Sequence, residues 1–100
     1  MNPIDEATVW SALREIKDPE FDLDLVALGL IYAVVCADAR VGVTMTLTTP
    51  HCPSGEWIYE GVRTKVAALP GVAEVSVDLV FTPPWTPDRL SPEARRQLGG

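Results

Sequence analysis

Residues 41–48, which read VGVTMTLT, decide how the rest of this sequence is interpreted. Apolar side chains alternate with small or hydroxyl-bearing ones along this stretch, and a period of two residues is typical of a β-strand with one buried face. We therefore predict a half-buried strand. Its inward-facing residues are Val41, Val43, Met45 and Leu47, and its outward-facing residues include Thr44, Thr46 and Thr48.

Two further elements flank this strand. Residues 30–37 form an almost continuous apolar run, which indicates a buried strand, and a short turn at 38–40 joins the two strands into a hairpin. From Pro53 the apolar spacing becomes helical, and the stop signal at residues 70–71 (PG) ends that helix. The apolar stripe of this helix consists of Ile58, Val62, Val66 and Leu69.

A third strand is predicted within residues 72–81, which read VAEVSVDLVF. Because a helix carries the chain back after the second strand, the third strand should run parallel to the second by a right-handed crossover. Its place in the sheet, beside the first strand or the second, stays open. Its inward-facing residues are Val75, Val77, Leu79 and Phe81.

The two ends of the chain contribute helices. Asn2-Pro3 has the form of an N-cap followed by proline at the first helical position, and Pro19 ends the helix because the residue before a proline avoids the α region. Residues 91–93 (SPE) open a short C-terminal helix that stops at the glycine pair 99–100. The apolar stripe of the first helix is Val9, Leu13 and Ile16.

The element order α-β-β-α-β-(α) predicts a small α/β (α+β) fold in one domain over residues 1–100. A three-stranded mixed sheet would have its apolar face covered by the helices, because that face must be buried against another layer.

Composition argues against several classes of protein. The net charge is −6 and the eight basic residues never gather into a stripe, which argues against a nucleic-acid partner. No apolar run approaches the roughly 20 residues that span a bilayer, and the acidic start lacks the features of a signal peptide. Two cysteines without a CxxC motif indicate a reducing context, so we expect a cytoplasmic protein without a membrane partner.

An acidic series follows the first helix. In an extended chain, residues at every second position lie on one side. The spacing resembles an EF-hand loop, but Leu23 and Gly29 occupy the positions of the required glycine and glutamate, so calcium binding is rejected. The series consists of Asp18, Glu20, Asp22 and Asp24.

Cys52 is the residue whose side chain is best suited to chemistry. With Pro53 at the first helical position, Cys52 would be the N-cap of the second helix, where the partial positive charge favours a thiolate. A thiolate is a good nucleophile and a good ligand for soft metals. The alternative, that cysteine is merely a small residue tolerated at a helix start, stays open at this point.

Several specific chemistries for Cys52 are disfavoured. The lack of a second nearby cysteine excludes an intramolecular redox cycle, and the only histidine, His51, is adjacent in sequence and lacks an orienting third group for hydrolysis. A structural zinc site usually takes four cysteine or histidine ligands, more than this chain has. Cys36 is interpreted as a packing residue, with a Cys36–Cys52 disulfide as a residual alternative. A metal or cluster site shared between chains, or completed by an external thiol, remains.

Several motifs taken together resemble one known family. The segments DPE, LGLIYAV, VTMTLTTPHCP and LPGVAEVSVDLVFTPPWTPDRLSPEAR are similar to those of the MIP18 family of metal–sulfur cluster assembly proteins, also called domain of unknown function 59. The family includes SufT-type maturation factors and the phenylacetate-pathway protein PaaD. The resemblance implies an α/β fold of the iron–sulfur cluster assembly type. It also implies a carrier or targeting role in iron–sulfur protein maturation rather than an enzyme.

The resemblance also implies site residues and partners. The functional cysteine of the family corresponds to Cys52, its acidic motif to Asp18 and Glu20, and its strand-end threonine to Thr48. A transient iron–sulfur cluster is the implied cofactor, and apo-proteins and assembly proteins are the implied partners. A cluster held by Cys52 alone, one ligand per chain, would need a homodimer or external thiols; the alternative function is an adaptor that holds no cluster. The candidate pocket or partner-contact residues are Asp18, Glu20, Thr48, Thr49 and His51.

Three departures from the family pattern bear on the site. Many relatives read VDLGLIY where this chain has Ala27 in place of the aspartate, so no carboxylate is available there. His51 replaces a residue that is often small or apolar. PaaD-type members carry a cysteine-rich C-terminal extension, and the end of this sequence at Gly100 argues against a PaaD-specific role.

Overall fold

The computed structural model describes residues 4–19, 21–48 and 55–97. These residues form two very short strands, three longer strands, three α-helices and one 3₁₀ turn. In chain order the elements are α1 (Glu6–Leu13), β1 (Lys17–Asp18), β2 (Leu23–Asp24), β3 (Ile31–Ala37), β4 (Arg40–Met45), α2 (Gly55–Ala67), β5 (Glu74–Leu79), the 3₁₀ turn (Pro87–Arg89) and α3 (Pro92–Gln97).

The predicted mixed sheet is confirmed, and the open question of strand order is answered. β4 lies at the centre, antiparallel to β3 and parallel to β5. The third predicted strand is thus β5, and it lies beside the second, β4. α1 packs against β3, α2 against β5, and the two helices against each other, so they form a layer over one face of the sheet.

The core lies between that helix layer and the inner face of the sheet. The strand residues predicted to face inward, from Val41 to Leu47, are at most 5 % exposed. The predicted outward direction of Thr46 is wrong: its side chain is fully buried. The regular strand ends at Met45, and the Thr46 amide donates a hydrogen bond to the Leu30 carbonyl at 2.8 Å. Thr46 therefore lies just beyond the strand, where its side chain no longer follows the alternation of buried and exposed positions.

Both main helices bury most of the predicted stripes, although Ile16 and the half-buried Leu69 lie beyond the helix ends, and α1 also starts later than predicted. Asp5 is its N-cap, with the carboxylate accepting a hydrogen bond from the Thr8 amide at 2.8 Å, and Asn2 lies outside the described residues. Ile4 is also buried, which holds the chain in place just before this cap. The helix ends at Leu13, five residues before the predicted end at Asp18, because Asp18 belongs to β1.

In β5 the predicted burial is only partly right. Val75 and Val77 are half-buried against the core, whereas Leu79 and Phe81 are each 38 % exposed. β5 is an edge strand that ends at Leu79, so the two more exposed positions lie at its end and beyond it.

The proline-rich segment after β5 straps across the loop that precedes β3. The Trp85 indole N–H donates to the Leu28 carbonyl at 2.6 Å, and the Ser91 amide donates to the Ala27 carbonyl at 2.9 Å. Trp85 anchors this segment, since its half-buried ring also packs on the core. We use "the strap" for residues 82–91.

None of the helices in the described part of the chain has the length and apolar character needed to cross a membrane.

Candidate functional site

The segment that carries Cys52 lies outside the described residues. Thr49, His51 and Cys52 all belong to residues 49–54, and so does Pro53, so the predicted N-cap position of Cys52 stays a prediction. This segment connects Thr48, just beyond β4, to Gly55, the first described residue of α2. What the structure does give is the position of its two ends.

Those two ends are packed directly against each other. Leu47 and Gly55 are both buried, and a Cβ added to Gly55 would lie 2.6 Å from Cδ1 of Leu47. Only a glycine allows the helix start to approach the strand end so closely without displacing the leucine. The segment with Cys52 therefore begins and ends at one place, at the carboxyl end of the central strand.

Thr48 lies at this place with a half-buried side chain. Its predicted place within the second strand is wrong, because β4 ends three residues earlier, at Met45, and Thr48 lies in the bend that follows. A hydroxyl that is partly exposed here can still donate or accept a hydrogen bond with a bound group.

The acidic series does not present its carboxylates on one side, so that prediction is wrong. β1 and β2 fold back on each other, with Asp18 opposite Leu23 and Lys17 opposite Asp24. The turn between them places Asp22 at a positive φ of 54° and leaves it exposed. An extended chain was assumed for a stretch that is in fact a tight hairpin.

The members of the series consequently have different environments. Asp18 is only 1 % exposed, whereas Asp24 is half-buried and accepts a hydrogen bond from the Ala27 amide at 2.8 Å. Asp22 forms a loose surface ion pair with Lys17 at 3.8 Å. Glu20 lies outside the described residues. Of the six candidate site residues, the structure thus describes only Asp18 and Thr48.

Asp18 is the unusual member of this set. In the described part of the chain, Asp18 and Thr46 are the buried polar side chains. Burying a carboxylate costs free energy unless it has polar partners, so this position is not an ordinary solvated loop residue.

Cys36 is a free, half-buried thiol on β3. Burial raises the pKa of this thiol, and the nearby carboxylates of Glu6 and Asp5 raise it further. A raised pKa makes a cysteine a poorer nucleophile and a poorer ligand at neutral pH. The interpretation of Cys36 as a packing residue is consistent with this environment.

Two features near the site were missed in the sequence. Trp57, in the first turn of α2, is 59 % exposed and lies off the stripe that begins at Ile58. In the strap, the Arg89 guanidinium lies 4.5 Å from the centre of the Tyr32 ring. A helical-wheel count from Ile58 places Trp57 on the solvent side, whereas nothing local in the sequence pairs Tyr32 with Arg89.

Within residues 4–19, 21–48 and 55–97, no three histidine, cysteine or acidic side chains come together as a metal site. Cys52, His51 and Glu20 are not among those residues.

Comparisons with known proteins agree on one family. A family model described as "Iron-sulfur cluster assembly protein" matches residues 6–77. An Fe-S protein maturation auxiliary factor of Porphyromonas gingivalis is 47 % identical over 95 residues, which cover 94 % of this chain and 90 % of that protein. An iron-sulfur cluster carrier protein of Synechocystis is 41 % identical over 86 residues, 83 % of this chain but 24 % of that longer protein.

Solved structures give the same result. The crystal structure of a domain of unknown function 59 from Bacillus anthracis superposes with a TM-score of 0.90 at 34 % identity, covering 94 % of this chain and 91 % of that one. The fold, the family model and the full-length relative therefore coincide. The chain belongs to the iron–sulfur cluster assembly protein family, the MIP18 family whose motifs its sequence carries.

Proposed function

We propose that this chain serves iron–sulfur protein maturation as a carrier, which takes up a cluster at the Cys52 thiolate and passes it to an apo-protein. The names of two relatives, a maturation auxiliary factor and a cluster carrier protein, support the general role. The observation that carries the assignment to this site is the contact between Leu47 and Gly55. It fixes both ends of the segment that contains Cys52 beside the half-buried Thr48.

The chemistry of the segment suits a transient ligand. Cys52 stands three residues before Gly55 in the sequence, and we propose that it lies at the positive end of the 13-residue helix α2, where the thiolate form is favoured. Iron–sulfur clusters are usually held by four cysteine thiolates. One thiolate per chain leaves the remaining ligands to external thiols or to the recipient, and incomplete coordination allows release. Asp18, Glu20, Thr48, Thr49 and His51 are proposed to contact the cluster or its recipient.

Anaerobic reconstitution with iron and sulfide tests this proposal. We expect the wild-type chain to bind iron and sulfide with a thiolate-to-iron charge-transfer absorption, and Cys52→Ala to lose most of both. Cys36→Ala is the matched control, because it removes the other cysteine of the chain from a strand and should leave the bound iron unchanged. Equal iron in the wild type and in Cys52→Ala would contradict ligation by Cys52.

A second candidate function is an adaptor that binds apo-proteins and never holds a cluster. The exposed Trp57 favours it, because tryptophan is enriched among the residues that dominate protein–protein binding. The neighbouring Glu56 and Glu60 are exposed and take part in none of the ion pairs of the described residues. Binding of an apo-protein stripped of its [4Fe–4S] cluster that survives Cys52→Ala but is lost in Trp57→Ala would favour the adaptor over the carrier.

A further inference from the structure

β3 is an edge strand, and apart from a register irregularity between Ile31 and Ala33, at its start, it lacks the features that normally protect an edge. Its seven residues include no charge and no proline, and no described segment hydrogen-bonds to its free side. Its outward-facing side chains are Ala33, Val35 and Ala37, all exposed, and Val35 at 61 % is the most exposed large hydrophobic residue in the described chain. Natural proteins usually block such edges with lysine, proline or a bulge, because an open edge pairs with other strands.

The opposite edge of the same sheet is protected in the usual way. β5 presents Glu74 and Asp78 on the outer face, and Glu74 is paired with Arg40 at 3.1 Å. The contrast between the two edges shows that the lack of charge is particular to β3.

The backbone geometry identifies which groups of β3 are available. A two-residue turn joins β3 to β4, so the flanking pair Ala37–Arg40 is a hydrogen-bonded one, and such pairs alternate along an antiparallel ladder. The amide and carbonyl groups of Val35 therefore point toward β4. Those of Val34 and Cys36 point away from the sheet, toward the open edge.

The sequence around Val35 is almost symmetrical. Residues 33–37 read AVVCA, so a second β3 strand running antiparallel about Val35 would place Ala33 opposite Ala37, and Val34 opposite Cys36. Every cross-strand pair would join small or apolar side chains, and no like charges would meet. We propose that a second copy of this chain pairs with β3 on a two-fold axis through Val35, which makes one continuous six-stranded sheet.

This pairing is independent of the function proposed for Cys52. The carboxyl end of β4 lies beside Ile31, four residues from the axis, so the two corresponding ends would lie about 27 Å apart along the strand direction, on opposite sides of the dimer. A second copy bound in this way does not complete a cluster at Cys52. Because the shared edge is short, it buries less than the standard 1,200–2,000 Å² or so of a stable complex, and the association should be weak.

Sedimentation velocity of the metal-free full chain, from low micromolar to near-millimolar concentration, tests the pairing. We expect the mass to rise toward twice that of the 10.9 kDa chain. Val35→Lys places two ammonium groups opposite each other and should raise the dissociation constant at least about tenfold. Ser76→Lys is the matched control, because Ser76 lies in the same row of the outer face, on β5, and the variant should associate as the wild type does.

A cross-link tests the register. In a background without native cysteines (Cys36→Ala, Cys52→Ala), Val35→Cys should give a covalent dimer with oxidised glutathione, since its two copies would face each other on the axis at a spacing close to that of a disulfide. Ser76→Cys should cross-link at least tenfold more slowly. A wild type that stays monomeric throughout, equal association of the two lysine variants, or equal cross-linking of the two cysteine variants would overturn the proposal.

Discussion

At the scale of single residues, two glycines show how differently the same residue type can be used. Gly29 adopts a positive φ of 77°, and a Cβ there would collide with the backbone carbonyl of Arg89 in the strap. Gly42 has an ordinary φ, and a Cβ there would lie 3.6 Å from the Ser76 hydroxyl, an ordinary contact. The first glycine is required by a close approach of two backbones, and the second is not.

We therefore predict that Gly29→Ala lowers the free energy of unfolding by about 2–4 kcal/mol, because it combines backbone strain with a clash that no side-chain rotation relieves. Gly42→Ala should change it by less than about 1 kcal/mol. Urea denaturation followed by circular dichroism measures both. Equal stabilities of the two variants would show that the strap moves away without cost.

Cys36 gives a pH dependence whose sign is fixed by its environment. Its pKa is raised in the folded state, first by burial and then by Glu6 and Asp5, so the folded chain keeps the thiol proton where the unfolded chain has lost it. The unfolded state then binds fewer protons, and stability falls as pH rises past the ordinary cysteine pKa of about 8.5, with no effect below it.

We expect the wild type to lose more stability than Cys36→Ala between neutral pH and a pH above about 9, because only the wild type carries the protonated thiol. Denaturant titrations at the two pH values measure the difference. In a Cys52→Ala background, iodoacetamide should also modify Cys36 more slowly than a free thiol. Labelling at the rate of a free thiol would contradict the raised pKa.

At the scale of elements, the periodicity of the sequence predicted the longer strands and helices, because the type and the buried face of such an element follow from its local pattern. The alternation in residues 41–45 and the stripe from Ile58 to Val66 each predicted both an element type and its buried face. The acidic hairpin was missed because two-residue strands are too short to show a period. The start of α1 was misplaced because Asn2 and Asp5 are equally good capping residues, and only the burial of Ile4 distinguishes them.

The candidate site was predictable to a smaller extent. Chain position and the family resemblance predicted Cys52 and Thr48 as site residues, and that assignment stays a prediction, whereas the burial of Asp18 depends on the hairpin that the sequence did not reveal. The strap shows the same limit, since Trp85 and Leu28 are 57 residues apart in sequence. Contacts between residues so far apart in the chain leave no periodic pattern in the sequence from which they could be predicted.

The strap allows a prediction of its own. Trp85→Phe removes the hydrogen bond to the Leu28 carbonyl and part of the packing, and should lower the free energy of unfolding by about 1–3 kcal/mol. Trp57→Phe, at an exposed position, should change it by less than about 0.5 kcal/mol. Thermal or urea unfolding distinguishes the two, and a larger effect at Trp57 would contradict the assignment of Trp85 as the anchor.

At the scale of the whole molecule, net charge opposes the proposed pairing of two copies. Each chain carries −6, and the repulsion between two such chains is screened over about 10 Å at 0.1 M salt. We therefore predict that self-association strengthens as sodium chloride is raised from low to physiological ionic strength. Sedimentation at several salt concentrations measures this dependence. Association that weakens with salt would instead indicate an interface formed by opposite charges.

The close contact between Leu47 and Gly55 has a consequence for protein engineering. Because the end of the strand and the start of the helix contact each other directly through Leu47 and Gly55, we expect the six positions 49–54 to be exchangeable as a unit. Segments from other members of the family can be grafted between Thr48 and Gly55 while the scaffold is kept. Differences in activity among such chimeras can then be attributed to the grafted sequence alone.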